Sequence, residues 1–274
     1  MLRCTRLARR GALLGSALLG LGLTAAAQPV PAQSGPPDAR PDVTVATLTW
    51  PPYTKRSLPK GGAVTAVVRA AFDAVGRDVR VRYRPWNRAI ALAKAESTGV
   101  VAYYPGYHCN HRPDAGFLRS YVIGMRPLGL AKRANAAFSW TSLADLEGFR
   151  IGTVVGYANT RTFDRKVAAE ELWTIESHSD RRNLHKLIEG RLDYAVIDKH
   201  VMTYLLNTDP ELRPHRDEVV MDDTLLGRMP LFVCFRNSPR GKALRSAFND
   251  GLTQVPYKDI MAGRIARLSA KGAE

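Results

Sequence analysis

Three short segments carry the side chains best suited to holding a small charged molecule. They are TWPPYT at 49–54, HRPDAGFLRS at 111–120 and LDYAVID at 192–198. The first, together with Trp86, supplies flat aromatic faces; the second supplies Arg112; the third ends on Asp198. A guanidinium grips a carboxylate through two parallel hydrogen bonds, and a carboxylate is the natural partner of an ammonium group. Arg112 and Asp198 therefore match the two ends of a zwitterion. Each residue also has a purely structural alternative. Arg112 can pair with Asp114 or another surface acid, Asp198 can cap a helix starting at Lys199, and Trp50 and Trp86 can be core aromatics. Asp193, at the start of its strand, reads as structural.

Other chemistries are less well supplied. His108-Cys109-Asn110-His111 places three soft ligands within four residues, as a metal site would need. Arg112 sets a fixed positive charge beside them, and no distant Cys/His cluster completes the coordination. No metal and no cofactor are expected. Glu176, His178 and His108 are the candidates for acid–base work, but no nucleophile motif, phosphate loop or paired-carboxylate segment accompanies them. The chain is expected to bind rather than to catalyse.

The ends set the compartment. Arg3, Arg6, Arg9 and Arg10 precede an uncharged Leu/Ala/Gly-rich run that finishes at Ala25-Ala26-Ala27. That is the layout of a secretory signal peptide cleaved near Ala27, leaving a periplasmic protein. Residues 28–42 hold five prolines and only Val30 as a large apolar side chain, so they are expected to form a disordered tether. The folded part begins near Val43, and no later segment is apolar enough to span a membrane. Losing the four signal arginines lowers the formal charge from +15 to +11. The remaining cations are spread along the sequence without a nucleic-acid motif, so a solvated basic surface is expected and nucleic-acid binding is not. Cys109 and Cys234 remain after processing. The reading favours two separate thiols, with a disulfide as the alternative that an oxidising compartment permits.

The elements that must position these residues alternate between strand and helix patterns. DVTVATLTW reads as a strand ended by Pro51-Pro52. Val64, Val67, Val68, Ala71, Phe72 and Val75 then share one helical face, closed by Gly76. VRVRYRP is a second strand, and Pro85 opens a helix carrying Trp86, Ala89, Ile90 and Ala93. A Ser142–Asp145 capping box marks a short helix at 141–147. RIGTVVG is a strand, Asn159 or Thr160 caps the next helix, and Asp180 starts another that ends at Gly190. LDYAVID and MPLFVCF are further strands, and Ser238-Pro239 supplies N-cap and N1 for a late helix. Such alternation predicts an α/β fold with largely parallel sheets.

In this order the parts resemble bacterial extracellular solute-binding proteins of family 3, the polar amino-acid type, across nearly all of residues 43–270. The resemblance implies a two-lobed type II periplasmic binding protein fold with two crossing strands between the lobes. Lobe one would comprise 43–127 plus 230–270, lobe two 128–229, and the crossings would fall near Met125–Ala131 and Leu226–Leu231. It also implies roles: Trp50 and Trp86 as walls over the ligand, Arg112 on its carboxylate, and Asp198 on its ammonium. GYANT at 156–160 is similar to the turn whose backbone amides meet the same carboxylate, which brings in Tyr157 and Thr160. Tyr107, in the Tyr104-Pro105-Gly106-Tyr107 stretch that departs from the family pattern, joins the ligand wall. The implied partners are a small carboxylated, amino-acid-like solute and an inner-membrane ABC permease, with the protein itself a monomer. A periplasmic dehydratase or a receptor-coupled sensor on the same fold are the alternatives.

Overall fold

The computed structural model describes residues 43–109 and 116–270. The proposed signal peptide and tether, and Arg112 with its neighbours, lie outside the described residues. The chain runs β1 (Val43–Thr47), α1 (Ala63–Asp73), β2 (Val79–Tyr83), α2 (Trp86–Lys94), β3 (Val100–Gly106), β4 (Phe117–Arg119) and β5 (Gly124–Arg133). It continues through β6 (Ile151–Val154), α3 (Arg161–Ala168), β7 (Thr174–Ser177), α4 (Asp180–Ile188), β8 (Tyr194–Asp198) and α5 (Lys199–Thr208). It closes with β9 (Val219–Arg236), α6 (Pro239–Thr253) and α7 (Tyr257–Ala270).

The strands lie in the order β2-β1-β3-β9-β5-β8-β6-β7, with β4 beside β9. Pairing is parallel among β1, β2 and β3 and among β6, β7 and β8. It is antiparallel wherever β5 or β9 takes part. Parallel strands need long crossovers, and the intervening helices supply them. The result is two α/β lobes joined by the antiparallel pair β5 and β9, whose register runs from Gly124 opposite Leu231 to Arg133 opposite Val219.

The apolar faces read from the sequence are the faces that pack. Val64, Val67, Val68, Ala71 and Phe72 of α1 are buried. Phe72 meets Phe235 of β9 and Phe248 of α6, which gathers the first strand group, the return strand and a late helix into one core. A separate core in the other lobe centres on Leu128, Leu130, Ile151, Phe163 and Tyr194. Three helices start on the caps their sequences offer. Thr160 accepts from Phe163 N in α3, Ser179 from Arg182 N in α4, and Ser238 from Gly241 N in α6.

Two expectations are corrected. The return strand is not confined to MPLFVCF but begins ten residues earlier, at Val219. Its first half is half-exposed and carries Asp222, Asp223 and Arg228, so neither alternation nor an apolar run betrays it; β5 supplies the ladder that keeps it extended. Cys109 and Cys234 are bonded rather than separate, with Cα atoms 5.2 Å apart and a sequence separation of 125. Their proximity comes from β3 pairing with β9, a tertiary contact that local sequence cannot report.

Candidate functional site

The site is built where loops of one lobe meet strand ends of the other. After β1 the chain makes a tight turn in which Trp50 and Thr54 exchange backbone hydrogen bonds. This places the Trp50 and Tyr53 rings in a stack with centroids 4.4 Å apart. Gly62, at φ 99°, lets α1 start directly beneath this turn: a Cβ there would lie 2.5 Å from the Tyr53 carbonyl oxygen. No other residue type fits that close approach in that conformation.

From the other lobe come two buried carboxylates. Asp198 ends β8 and caps α5, accepting from His200 N at 2.8 Å and Val201 N at 3.0 Å. Its oxygens also accept from the Tyr53 hydroxyl at 3.2 and 3.1 Å, so one contact crosses between the lobes. Asp180, at the start of α4, is buried as well. Burial pushes the Asp180 carboxyl up to about 7; Arg126 pulls it down, Asp198 pushes it up, and a hydrogen bond with the Trp50 side chain lowers it. Burial likewise raises the Asp198 carboxyl, against the lowering influence of Arg126, His200, the Val201 amide and the Tyr53 hydroxyl.

The cation among them is Arg126 on crossing strand β5. It is 3% exposed. Its guanidinium carbon stands 4.0 Å from the Tyr107 ring centroid and 5.7 Å from that of Trp50, a cation–π arrangement. It donates to the Ala158 carbonyl at 3.4 Å, while its Nε has no hydrogen-bond partner. Burial also raises the Tyr53, Tyr107 and Tyr157 hydroxyls, so these phenols stay neutral donors.

The remaining candidates fall around this cluster. Trp86 is half-buried at the first turn of α2, edge-on to Tyr103 at 5.4 Å. Trp50, Trp86, Tyr107 and Tyr157 enclose a gap of about 10 Å³ together with Leu48 and Pro105. On either side of Trp86-Asn87 lie two grooves of about 560 Å³ each, both lined from both lobes. One contains Tyr103, Tyr107, His108, Cys109 and Ala158; the other contains Leu48, Tyr83, Val154, Tyr157 and His178. Thr160 is engaged as the α3 cap, and its methyl lies against Gly227 of β9. Asp193 is held by a two-pronged pair with Arg150 instead of facing the cleft. Among the described residues no group of three or more His, Cys, Asp or Glu is arranged to hold a metal ion.

Solved structures resemble this arrangement of lobes. The GluR0 ligand-binding core from Nostoc punctiforme, in complex with L-glutamate, superposes with a TM-score of 0.62 at 18% identity, covering 84% of this chain and 98% of its own. An amino acid ABC transporter substrate-binding protein from Streptococcus pneumoniae, bound to L-arginine, gives 0.65 at 13% identity, covering 85% and 96%. A histidine kinase sensor domain with similarity to periplasmic binding proteins gives 0.63 at 16%, covering 85% and 96%. This is the type II periplasmic binding protein fold. No protein-family model matches the chain, and no curated protein matches it in sequence.

Sequence reasoning missed Tyr53, Arg126 and Asp180. Tyr53 stands inside TWPPYT, where the tryptophan is the more conspicuous ring. Asp180 carried the ordinary signal of a helix start. Arg126 sits in an apolar strand before a proline, and the one available hint was a charge in a segment otherwise fit for the interior.

Proposed function

We propose that this chain is a periplasmic solute-binding protein of the family 3 type, capturing a small carboxylated, amino-acid-like solute for an inner-membrane ABC permease. One observation carries the reading: Arg126, Asp180 and Asp198 meet the Trp50, Tyr53 and Tyr107 rings where the crossing strands join the lobes. Buried charges of both signs under aromatic walls suit a charged molecule of amino-acid size far better than an apolar one. In this reading Arg112 takes the ligand carboxylate and Asp198 the ammonium, which displaces the Tyr53 hydroxyl. Trp50, Trp86, Tyr107, Tyr157 and Thr160 form the surrounding wall. Residues 43–127 with 230–270 act as one lobe and 128–229 as the other, closing about β5 and β9.

The S. pneumoniae relative binds L-arginine and the Nostoc core binds L-glutamate, which supports a ligand of that size. The kinase sensor domain on the same fold gives a second reading, in which the closed form signals to a receptor instead of loading a permease.

A thermal-shift screen of amino acids, opines, small peptides and ring acids tests the proposal. A true ligand at a hundred times its Kd raises the midpoint by roughly 5–10 °C through mass action. A flat response across all four classes would reject the reading.

A further inference from the structure

The cations that looked scattered in the sequence converge in space. Two adjoining grooves, of about 370 and 400 Å³, share Lys60 and Arg69. Arg77 and Arg264 line one of them, and Arg56, set over the Tyr83 ring at 5.3 Å, lines the other. These five come from the turn before α1, from α1 and the loop after it, and from α7. Alongside runs β2, the edge of the sheet, which turns Val79, Val81 and Tyr83 toward these grooves and Arg80 and Arg82 to its opposite face. Between Lys55 and Arg84 the chain holds eight basic residues against two acids, Asp73 and Asp78. None of the eight, nor Arg264, forms an ion pair with a described residue.

Protection of a sheet edge explains charges on β2. It does not explain why Arg56, Lys60, Arg69, Arg77 and Arg264, which lie off that strand, gather around these grooves, where Asp73 and Asp78 offset only part of their charge. We propose that this face docks on anionic phospholipid headgroups of a bilayer. Guanidinium groups match phosphate geometry, and each basic side chain near an anionic surface adds independently to the attraction. The face lacks what a protein partner would need. The large apolar side chains most exposed to solvent, Tyr121, Met125, Val155 and Trp173, all lie on other segments, and protein interfaces are anchored by such groups. The proposal is independent of what occupies the cleft.

Vesicle co-sedimentation of the full-length chain tests it, comparing phosphatidylcholine alone with phosphatidylcholine containing phosphatidylglycerol. Residues 1–42 carry five arginines of their own, so the comparison among variants that all share them carries the test. Binding is expected on anionic vesicles beyond that on neutral ones, and this excess should vanish near ~0.5 M salt, where the screening length falls to a few ångströms. The triple variant Arg56→Gln/Arg77→Gln/Arg264→Gln should lose roughly a hundredfold in this excess affinity. A control that removes equal charge from the other lobe, Arg161→Gln/Arg165→Gln/Arg182→Gln, should lose less than tenfold. Equal binding to both vesicle types overturns the proposal, as do equal losses in the two variants. Salt-resistant binding, or tighter binding to polyglutamate or single-stranded RNA than to anionic vesicles, overturns it too.

Discussion

The Tyr53 hydroxyl reaches both carboxylate oxygens of Asp198, at 3.2 and 3.1 Å, and joins a loop of one lobe to a strand end of the other. Asp198 is 1% exposed, and Arg126, His200, the amides at the start of α5 and this donor all act against the burial of its charge. Tyr53→Phe keeps the ring stacked on Trp50 and removes only the hydroxyl. It is expected to lower unfolding free energy by about 1–3 kcal/mol, the cost of leaving a buried acceptor short of a donor. Urea denaturation checks this. A midpoint equal to wild type would show that the contact contributes nothing to the lobe junction.

Asp180 gives the protein a pH dependence of definite sign. Its folded-state pKa, about 7, lies above the ordinary carboxylate value of 3.8, so the folded form holds the proton more tightly than the unfolded chain. Its contribution is complete below about pH 4, declines as pH rises, and is lost above about 7. Asp198, also raised by burial, acts in the same direction. Asp180→Asn is therefore expected to be more stable than wild type at pH 8, by up to a few kcal/mol, and close to it at pH 4. Thermal melts of both proteins across that range are the check; a gap that widens on acidification would contradict the sign.

The Cys109–Cys234 bond closes a loop of 125 residues. Cys109→Ser/Cys234→Ser is expected to cost about 2–5 kcal/mol, as is usual for loss of a native cross-link. Thiol titration under denaturing conditions should find neither cysteine reactive in the oxidised wild type. Stoichiometric labelling of both would contradict the bond.

How far the sequence reaches follows from the range of each interaction. The β/α alternation, the buried face of α1 and the caps at Thr160 and Ser238 are local, set within a few residues, and they were legible. The two-lobed fold was legible through the order of its segments. The disulfide and the first half of β9 were not, because each depends on residues far apart in the chain. Arg126 shows the same limit within the site. Nothing near it in sequence reveals that Trp50, Tyr107, Asp180 and Asp198 surround it; those neighbours come from four separate segments.

Trp86 stands between two grooves and remains half-buried, so a ligand in either groove would alter its surroundings. Addition of a thermal-shift hit is expected to change tryptophan emission, and Trp86→Ala should weaken binding by roughly tenfold or more, as for a buried aromatic anchor. Unchanged emission together with unchanged affinity would remove Trp86 from the wall.

Isothermal titration of that ligand into wild type and Arg112→Ala tests the central claim most directly. Wild type is expected to bind one molecule per chain and to release it unchanged. Arg112→Ala should fold normally and bind about 30- to 4,000-fold more weakly, with Arg112→Lys losing less because it keeps the charge but not the two-pronged geometry. Binding by Arg112→Ala within about twofold of wild type would contradict recognition of a carboxylate by this guanidinium.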